Sequence, residues 1–227
     1  MAAQTSGKSR KRLSRHEMKE DKLIAMAQQL ELFYERNRKA VFGVATAILA
    51  VVVVFFLVRA NQRKSFEEAS VDLTMAKIVF DMGRVNDTEQ QFQLLKTQHG
   101  GRIAGEAQYY LARIAFMHND LNGAEVAFRE YVDNYHVDKY LDVAAAAGLA
   151  ATLESQGKYI EAAETYMAVQ EKHRKHYYSA EALFEAARCY LSANQKDKAV
   201  QTYLILQRQY PTSALTVEAS KAIAQLR

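Results

Sequence analysis

Residues that cross-link a chain or interrupt helices are scarce in this sequence. It holds one cysteine, one proline and nine glycines among 227 residues. With Cys189 alone, no disulfide can form within the chain, and a lipoprotein anchor, which needs a cysteine directly after an N-terminal apolar stretch, is excluded. Glycine and proline bound strands and long loops, whereas the abundant Ala, Leu, Glu, Lys and Gln favour helices. The composition therefore predicts an almost entirely helical chain.

Excess positive charge is absent outside the first 39 residues. That tail holds ten Lys or Arg against five acidic residues, which leaves 20 basic and 21 acidic residues in the rest of the chain. Phosphate binding needs a concentrated basic face. The near-neutral remainder therefore argues against a nucleic-acid-binding domain.

One long apolar run is present, AVFGVATAILAVVVVFFLV at residues 40–58, bracketed by Lys39 and Arg59. As a helix it is about 28 Å long, close to the thickness of a bilayer's hydrocarbon core. A buried helix of a globular domain is one alternative, but this run is apolar on every face. A cleaved signal peptide is another, but a 39-residue tail is too long for its basic stub. The run predicts a single transmembrane helix.

The basic tail predicts the orientation of that helix. Within twenty residues of the run, the basic residues on the two sides are equal in number, but the whole tail carries ten. Short, strongly basic segments are hard to translocate, while long C-terminal domains cross largely regardless of charge. We therefore expect the N-terminus in the cytoplasm and the C-terminal part outside it.

A second helix is predicted within the tail. Ser14 and Glu17 have the spacing of a capping box, which marks a helix start. One narrow apolar stripe follows at spacings of three, four and three residues: Leu23, Met26, Leu30 and Phe33. Such an amphipathic helix either lies on the membrane surface or continues straight into the transmembrane helix, or it docks against a helix of a partner protein.

A pattern of small and aromatic residues recurs three times after the apolar run, in copies that start near residues 105, 143 and 180. Each copy has a small residue and an alanine twelve positions after it. An aromatic residue stands four positions after the alanine, and another large residue stands three positions after the aromatic. These positions are Ala112, Ala124, Phe128 and Tyr131; Ala150, Ala162, Tyr166 and Val169; and Ala187, Ala199, Tyr203 and Leu206. The repetition predicts stacked helical hairpins, with small residues at helix crossings and rings filling the gaps between repeats.

The repeat pattern extends in both directions. A degenerate earlier copy starts near Ala69 and has Ala76, Thr88, Phe92 and Leu95 at matching offsets, with Gly100 and Gly101 as a helix stop. At the other end, an apolar periodicity from Leu215 to Leu226 predicts a final helix that covers the last hairpin.

These residues resemble the tetratricopeptide repeat family. The third copy matches its pattern almost fully, with Leu183, Ala186, Ala187, Tyr190, Ala199, Tyr203, Leu206 and Pro211. The other copies depart from it at Gln108 and Ala146, where a large apolar residue is usual, and the copies lie 38 and 37 residues apart instead of the usual 34 or so. A generic helical bundle is the alternative fold.

The resemblance implies that the first helix of each hairpin lines a concave groove that binds other proteins. Aromatic, Met and Arg side chains are enriched in such interfaces. The groove residues that it implies, some of which are expected to pack between repeats instead, are Phe80, Tyr109, Arg113, Phe116, Met117, Glu154, Phe184, Arg188 and Leu191.

Motifs that carry chemistry are missing. Cys189 lies on a repeat helix, where a buried structural role is expected. His173 and His176 are three residues apart but no other ligand type clusters with them, and no glycine-rich phosphate loop is present. We expect no catalytic residue, no metal, no cofactor and no small-molecule substrate.

The whole layout divides the chain into a basic tail (1–39), a transmembrane helix (40–58) and a repeat domain (59–227). It is similar to that of the YfgM-like ancillary subunits of the bacterial SecYEG translocon. This resemblance implies an inner-membrane protein with a periplasmic repeat domain that binds translocon subunits, chaperones or unfolded clients. A structural scaffold of an envelope or division complex, an N-anchored mitochondrial import receptor with cytosolic repeats and, more remotely, an enzyme are the alternatives.

Overall fold

A computed structural model describes residues 15–226, with side chains described at residues 24, 26, 28 and 29 and from residue 31 onwards. Within this part of the chain there are nine helices and no strand, so the all-α prediction is confirmed. The helices are α1 (Arg15–Asp81), α2 (Asn86–Gln98), α3 (Gly101–Met117), α4 (Leu121–Asn134), α5 (Lys139–Ser155), α6 (Tyr159–Lys172), α7 (Ser179–Ser192), α8 (Lys196–Gln209) and α9 (Leu215–Leu226). They divide into a first unit that ends at Arg63 and a second unit that begins at Lys64.

The first unit consists of the N-terminal part of α1, which is kinked at Asn37. This residue has non-helical backbone angles (φ −118°, ψ 23°), and its side-chain amide donates a hydrogen bond of 3.1 Å to the carbonyl of Phe33. The tail helix thus continues into the apolar run through a kink. Met26 and Phe33 of the predicted stripe are exposed. Ser14 of the predicted cap, and the side chains of Glu17, Leu23 and Leu30, lie outside the described residues.

One stretch of α1 is long and apolar enough to cross a membrane, as far as the described residues extend. Its most apolar window has a mean hydropathy of 3.0, and none of that window is buried. The hydroxyl of Thr46 donates within the helix to the carbonyls of Phe42 and Gly43 at 2.9 Å, so the one hydroxyl of the run is satisfied without water. Signal sequences and core helices of soluble proteins meet the same criteria of length and composition.

The second unit is a stack of helical hairpins. Residues 64–81 of α1 pack with α2, and the pairs α3–α4, α5–α6 and α7–α8 follow, with α9 against α7 and α8. All the recurring small and large residues of the three copies are buried, as are Ala76, Thr88, Phe92 and Leu95 of the degenerate copy. The predicted solenoid, including its irregular first hairpin, is therefore confirmed.

Each hairpin turns at one residue in the left-handed backbone region. These residues are Gly83, Asn119, Gly157 and Asn194, with φ values of 82°, 60°, 77° and 59°. In every turn the next residue donates its N–H to the carbonyl five residues earlier, as from Asp120 to Ala115 at 2.9 Å. This closing geometry favours Gly or Asn, which tolerate positive φ. The recurrence of Gly or Asn marks the ends of the first helices in the sequence itself.

The two departures from the repeat pattern have different structural outcomes. Gln108 is buried, and its side-chain amide donates a hydrogen bond of 2.7 Å to the carbonyl of Ala127 on α4. A polar contact thus replaces the usual apolar one between α3 and α4. Ala146 is half-buried and lines a cavity between α4, α5 and α6.

Candidate functional site

The predicted groove residues other than Phe80 lie on the first helices of the hairpins, α3, α5 and α7. We call their accessible surface the A-helix face. Spacings of three and four residues place the side chains on one side of α3 and of α7, because 3.6 residues complete a helical turn. The face comprises Tyr109, Arg113, Phe116 and Met117 of α3, Glu154 of α5, and Phe184, Arg188 and Leu191 of α7.

Arg113 lies over three aromatic rings. Its guanidinium carbon is 4.6 Å from the centroid of the Phe80 ring on α1, 5.7 Å from that of Tyr109 and 5.4 Å from that of Tyr110. Cation–π contacts of this kind hold a long side chain in place while its charge stays accessible. Burial raises the pKa of Tyr109, so its hydroxyl stays protonated at neutral pH.

Arg188 joins α5 to α7. One of its guanidinium nitrogens lies 2.7 Å from a carboxylate oxygen of Glu154 and 2.6 Å from one of Glu185. The Arg188 side chain is about half exposed, which limits the contribution of these pairs to folding stability. The arrangement presents both signs of charge on the A-helix face.

The remaining predicted residues divide into exposed and packed side chains. Phe116 and Met117, at the end of α3, are exposed. Phe184 is half-buried, with its ring centroid 5.5 Å from that of Tyr203 on α8, and Leu191 packs against two core clusters. Phe116 and Met117 are therefore the most accessible apolar side chains of the A-helix face.

Phe80 requires a correction. The repeat resemblance predicted that Phe80 lines the groove, but its side chain is only 4% exposed and lies in the core. Its ring centroid is 5.1 Å from that of Tyr110 and 6.3 Å from that of Phe92, both in edge-to-face geometry. It follows Leu73 and Ala76 on the buried side of α1. Phe80 therefore supports Arg113 from beneath and offers no free surface.

Of the α5 residues on the A-helix face, only Glu154 was predicted from the sequence, and the alanines beside it were missed. Ala144, Ala147, Ala151 and Glu154 follow one another at spacings of three, four and three residues, and all are half-buried. Alanine side chains extend less far from the helix axis than the tyrosine and arginines of α3 and α7. The face is therefore recessed at α5. The spacing alone was a sufficient signal to find this stripe.

An apolar pocket lies on the other side of α5, between α4 and α6. It has a volume of about 130 Å³ and is half enclosed. Its apolar wall includes Tyr135, Ala146, Leu149 and Val169, and Asp142 and His173 lie among its polar lining residues. The hydroxyl of Tyr131 donates to Asp142 at 3.1 Å beside it. The pocket exists because Ala146 stands where a larger side chain would fill the space.

Burial keeps Cys189, His173 and His176 uncharged at neutral pH. Burial raises the pKa of the Cys189 thiol to about 12, and Glu154 adds to this effect, so the thiol stays protonated. Burial lowers the pKa of His173 and of His176, so both imidazoles are neutral. Among the residues that the structure describes, no three His, Cys, Asp or Glu side chains are grouped to hold a metal ion.

Comparison with known proteins agrees with this architecture. A sequence profile of the tetratricopeptide repeat family matches residues 106–135 and 181–213. No curated protein sequence matches the chain.

Two solved structures share the fold. The crystal structure of MamA protein is similar with a TM-score of 0.54 and 19% identity, over 64% of this chain and 75% of that one. The structure of YrrB, described as a tetratricopeptide repeat protein with an unusual peptide-binding site, is similar with a TM-score of 0.53 and 18% identity, over 67% and 74%. None of these matches indicates a catalytic family. The chain therefore contains tetratricopeptide repeats in an α-helical solenoid, a fold consistent with a protein–protein interaction module.

Proposed function

We propose that this chain is a membrane-anchored module whose A-helix face forms a concave groove and binds extended or unfolded polypeptide segments, as an ancillary subunit of a translocon or of a periplasmic chaperone network. The observation that carries the proposal is the composition of that face. Exposed Phe116 and Met117, the ring-supported guanidinium of Arg113 and the ion pair of Arg188 with Glu154 surround the recessed alanines of α5.

This composition suits a polypeptide ligand. Accessible aromatic and Met side chains bind apolar side chains of varied shape, and arginine and carboxylate groups of both signs bind backbone and polar groups. A recess lined by small residues leaves room for a bound main chain. One structural neighbour is described as having an unusual peptide-binding site. This description supports the same use of the fold here.

The test is capture of an unfolded client by the full chain in detergent micelles. Permanently unfolded, reduced and alkylated α-lactalbumin serves as the probe. We expect Phe116→Ser combined with Met117→Ser to weaken binding about tenfold, because exposed apolar contacts contribute to a binding interface. The melting temperature should change little, since both side chains are exposed.

Val126→Ser is the matched control, because Val126 is an exposed apolar residue on α4, outside the A-helix face. Phe184→Ala with Arg188→Ala tests the α7 part of the face and should also weaken client binding, although Phe184 packs against Tyr203 and some loss of stability is expected there. Client binding that is unchanged by both double substitutions, or reduced equally by Val126→Ser, would show that the A-helix face is not the binding surface.

We propose further that residues 40–58 anchor the chain in a bacterial inner membrane, with the tail (1–39) in the cytoplasm and the repeat domain (59–227) in the periplasm. The exposed apolar run and the basic tail support this arrangement. Protease added to intact spheroplasts should degrade the region after Arg59 and spare the tail. Protection of the repeats would reverse the orientation.

The tail stripe has a role of its own in this proposal, as a docking surface for a membrane partner. Met26 and Phe33 are exposed on the first unit, which supports an accessible apolar stripe. Leu30→Asp should reduce the recovery of co-purified membrane partners while leaving membrane insertion intact. Unchanged recovery would leave the tail helix as one that only lies on the membrane surface.

A further inference from the structure

The outward side of residues 64–82 carries an apolar stripe that nothing in the second unit covers. Val71, Met75, Ile78 and Met82 are 61%, 60%, 45% and 71% exposed. Their spacings of four, three and four residues place the first three on one side of α1, opposite the buried Leu73 and Phe80. Met82 directly follows the helix and continues the row, because its N–H donates to the carbonyl of Ile78 at 3.0 Å. We call these four residues the α1 stripe.

The other end of the solenoid is different. The outward residues of α9, the last helix that the structure describes, include Glu218, Ser220, Lys221 and Gln225, with Val217 as the one large apolar side chain. Terminal helices of solenoids need a polar outer face to stay soluble. Because α9 meets this requirement and α1 does not, the α1 stripe has the character of an interface.

Acidic residues flank the α1 stripe. Residues 64–82 hold four acidic and two basic residues. The two lysines already have acidic neighbours: Lys64 lies 3.8 Å from Glu68, and Lys77 points inward and bonds to Glu106 at 2.8 Å. Asp72 and Asp81 lie about 90° to either side of the centre of the stripe, as the helical period requires, and neither forms an ion pair with a residue that the structure describes.

A groove beside the stripe provides a place for partner side chains. It lies between α1 and α2, has a volume of about 260 Å³, and is lined by Asp72, Met75, Leu94, Leu95 and residues of the α2 C-terminus. Met75 belongs to both the groove and the stripe. The exposed Leu94 extends the apolar surface onto α2. A helix that lies along α1 would place a row of apolar side chains over the stripe and into this groove.

From this combination we propose that the α1 stripe and the groove beside it bind a cationic amphipathic helix of another protein. Apolar side chains of that helix would cover Met75, Ile78 and Leu94, and its lysines or arginines would meet Asp72 and Asp81. A second copy of this chain is disfavoured as the occupant, because a two-fold contact through this surface brings acidic residues of one copy against those of the other.

The experiment uses the full chain in detergent micelles and a fluorescent peptide of about 18 residues, roughly five helical turns. The peptide has leucines at spacings of three and four and lysines elsewhere. A peptide with glutamate for lysine and a scrambled peptide of the same composition serve as ligand controls. Fluorescence anisotropy measures binding at low and at physiological salt.

We expect the lysine peptide to bind, and the glutamate and scrambled peptides to bind at least about tenfold more weakly. Met75→Ser with Ile78→Ser should weaken binding of the lysine peptide about tenfold. Asp72→Asn with Asp81→Asn should weaken it about threefold at low salt and reduce its salt dependence. All four positions are exposed, so melting temperatures should stay unchanged.

Val217→Ser with Glu218→Gln makes the matching changes on α9 and should leave binding unchanged. The proposal is overturned if the lysine peptide does not bind, if the glutamate peptide binds equally well, or if the α1 and α9 variants behave alike. Sedimentation of the wild-type chain completes the test. A dimer that Met75→Ser with Ile78→Ser dissociates would show that the occupant is a second copy.

Discussion

The first and third hairpins of the solenoid, α1–α2 and α5–α6, fill the same backbone arrangement with different side chains. Between α1, α2 and α3, three rings form the core: Phe92 and Tyr110 stack with centroids 4.8 Å apart, and Phe80 meets both edge-on. The third hairpin contains the alanine-rich α5, where the ring of Phe128 lies directly against the backbone of Gly148.

The difference shows two ways to close a helix crossing. Large rings fill the space between helices, whereas small residues remove it by letting the helices approach each other. Where a residue is small but the helices around it do not approach each other closely, a cavity remains, as at Ala146. The aromatic hairpin should therefore suffer most from truncation, and the alanine-rich hairpin should respond to added volume according to position.

The largest effect is expected for Phe92→Ala. Phe92 is fully buried between Phe80 and Tyr110, so truncation leaves a cavity and removes ring contacts. The free energy of unfolding should fall by about 3–5 kcal/mol, measured by urea unfolding of the full chain in detergent. Leu94→Ala, at an exposed position of the same helix, is the control and should cost less than about 0.5 kcal/mol. Equal losses would mean that the rings do not form the core of this hairpin.

Ala162→Leu tests the closely packed part of the third hairpin. Ala162 is fully buried in the core cluster to which α5 and α6 both contribute, and the added volume has no space to enter. Overpacking should lower the free energy of unfolding by about 1–3 kcal/mol. A neutral result would show that the two helices can separate without loss.

Ala146→Leu makes the same chemical change where space is available. The added side chain would enter the pocket of about 130 Å³ beside Leu149 and Val169. Cavity filling should raise the free energy of unfolding by about 0.5–2 kcal/mol. The two Ala→Leu variants of this hairpin should therefore change the free energy of unfolding in opposite directions. If Ala146→Leu destabilises the chain as Ala162→Leu does, the pocket is not open to a side chain.

Glu106 provides an acid-sensitive contact between α1 and α3 in the aromatic hairpin. Burial alone would raise its pKa, but hydrogen bonds from Lys77 at 2.8 Å and Arg102 at 2.7 Å outweigh burial and lower the pKa below the ordinary value of 4.5. A carboxyl group with a lowered folded-state pKa stabilises the fold fully above its unfolded pKa, and the stabilisation is lost as the pH falls through the folded value.

We therefore expect Glu106→Gln to cost about 1 kcal/mol at pH 7, a difference from wild type that shrinks as the pH is lowered below 4.5. Urea unfolding at several pH values measures it. Glu89→Gln, on the exposed side of α2, should match wild type throughout. A constant difference for Glu106→Gln down to pH 2 would show that ionisation of this carboxyl does not stabilise the hairpin.

Several features of the candidate site were predictable from local spacing. The positions of Tyr109, Arg113 and Met117 on one side of α3 follow from the helical period, and the hairpin turns follow from Gly or Asn at the helix ends. The ring contacts of Arg113 were not predictable, because they depend on the position of Phe80, which lies 33 residues earlier in the chain.

The sequence by itself determined the all-α class, the apolar run, the number of hairpins and which recurring alanines and rings are buried, because the helical period and the repeat length are local properties of the chain. Only the tertiary structure decided that Phe80 is a core residue, that Ala146 leaves a pocket and that the α1 stripe stays uncovered. Each of these outcomes depends on the distance between helices that are far apart in sequence, and that distance results from the packing of all their side chains together.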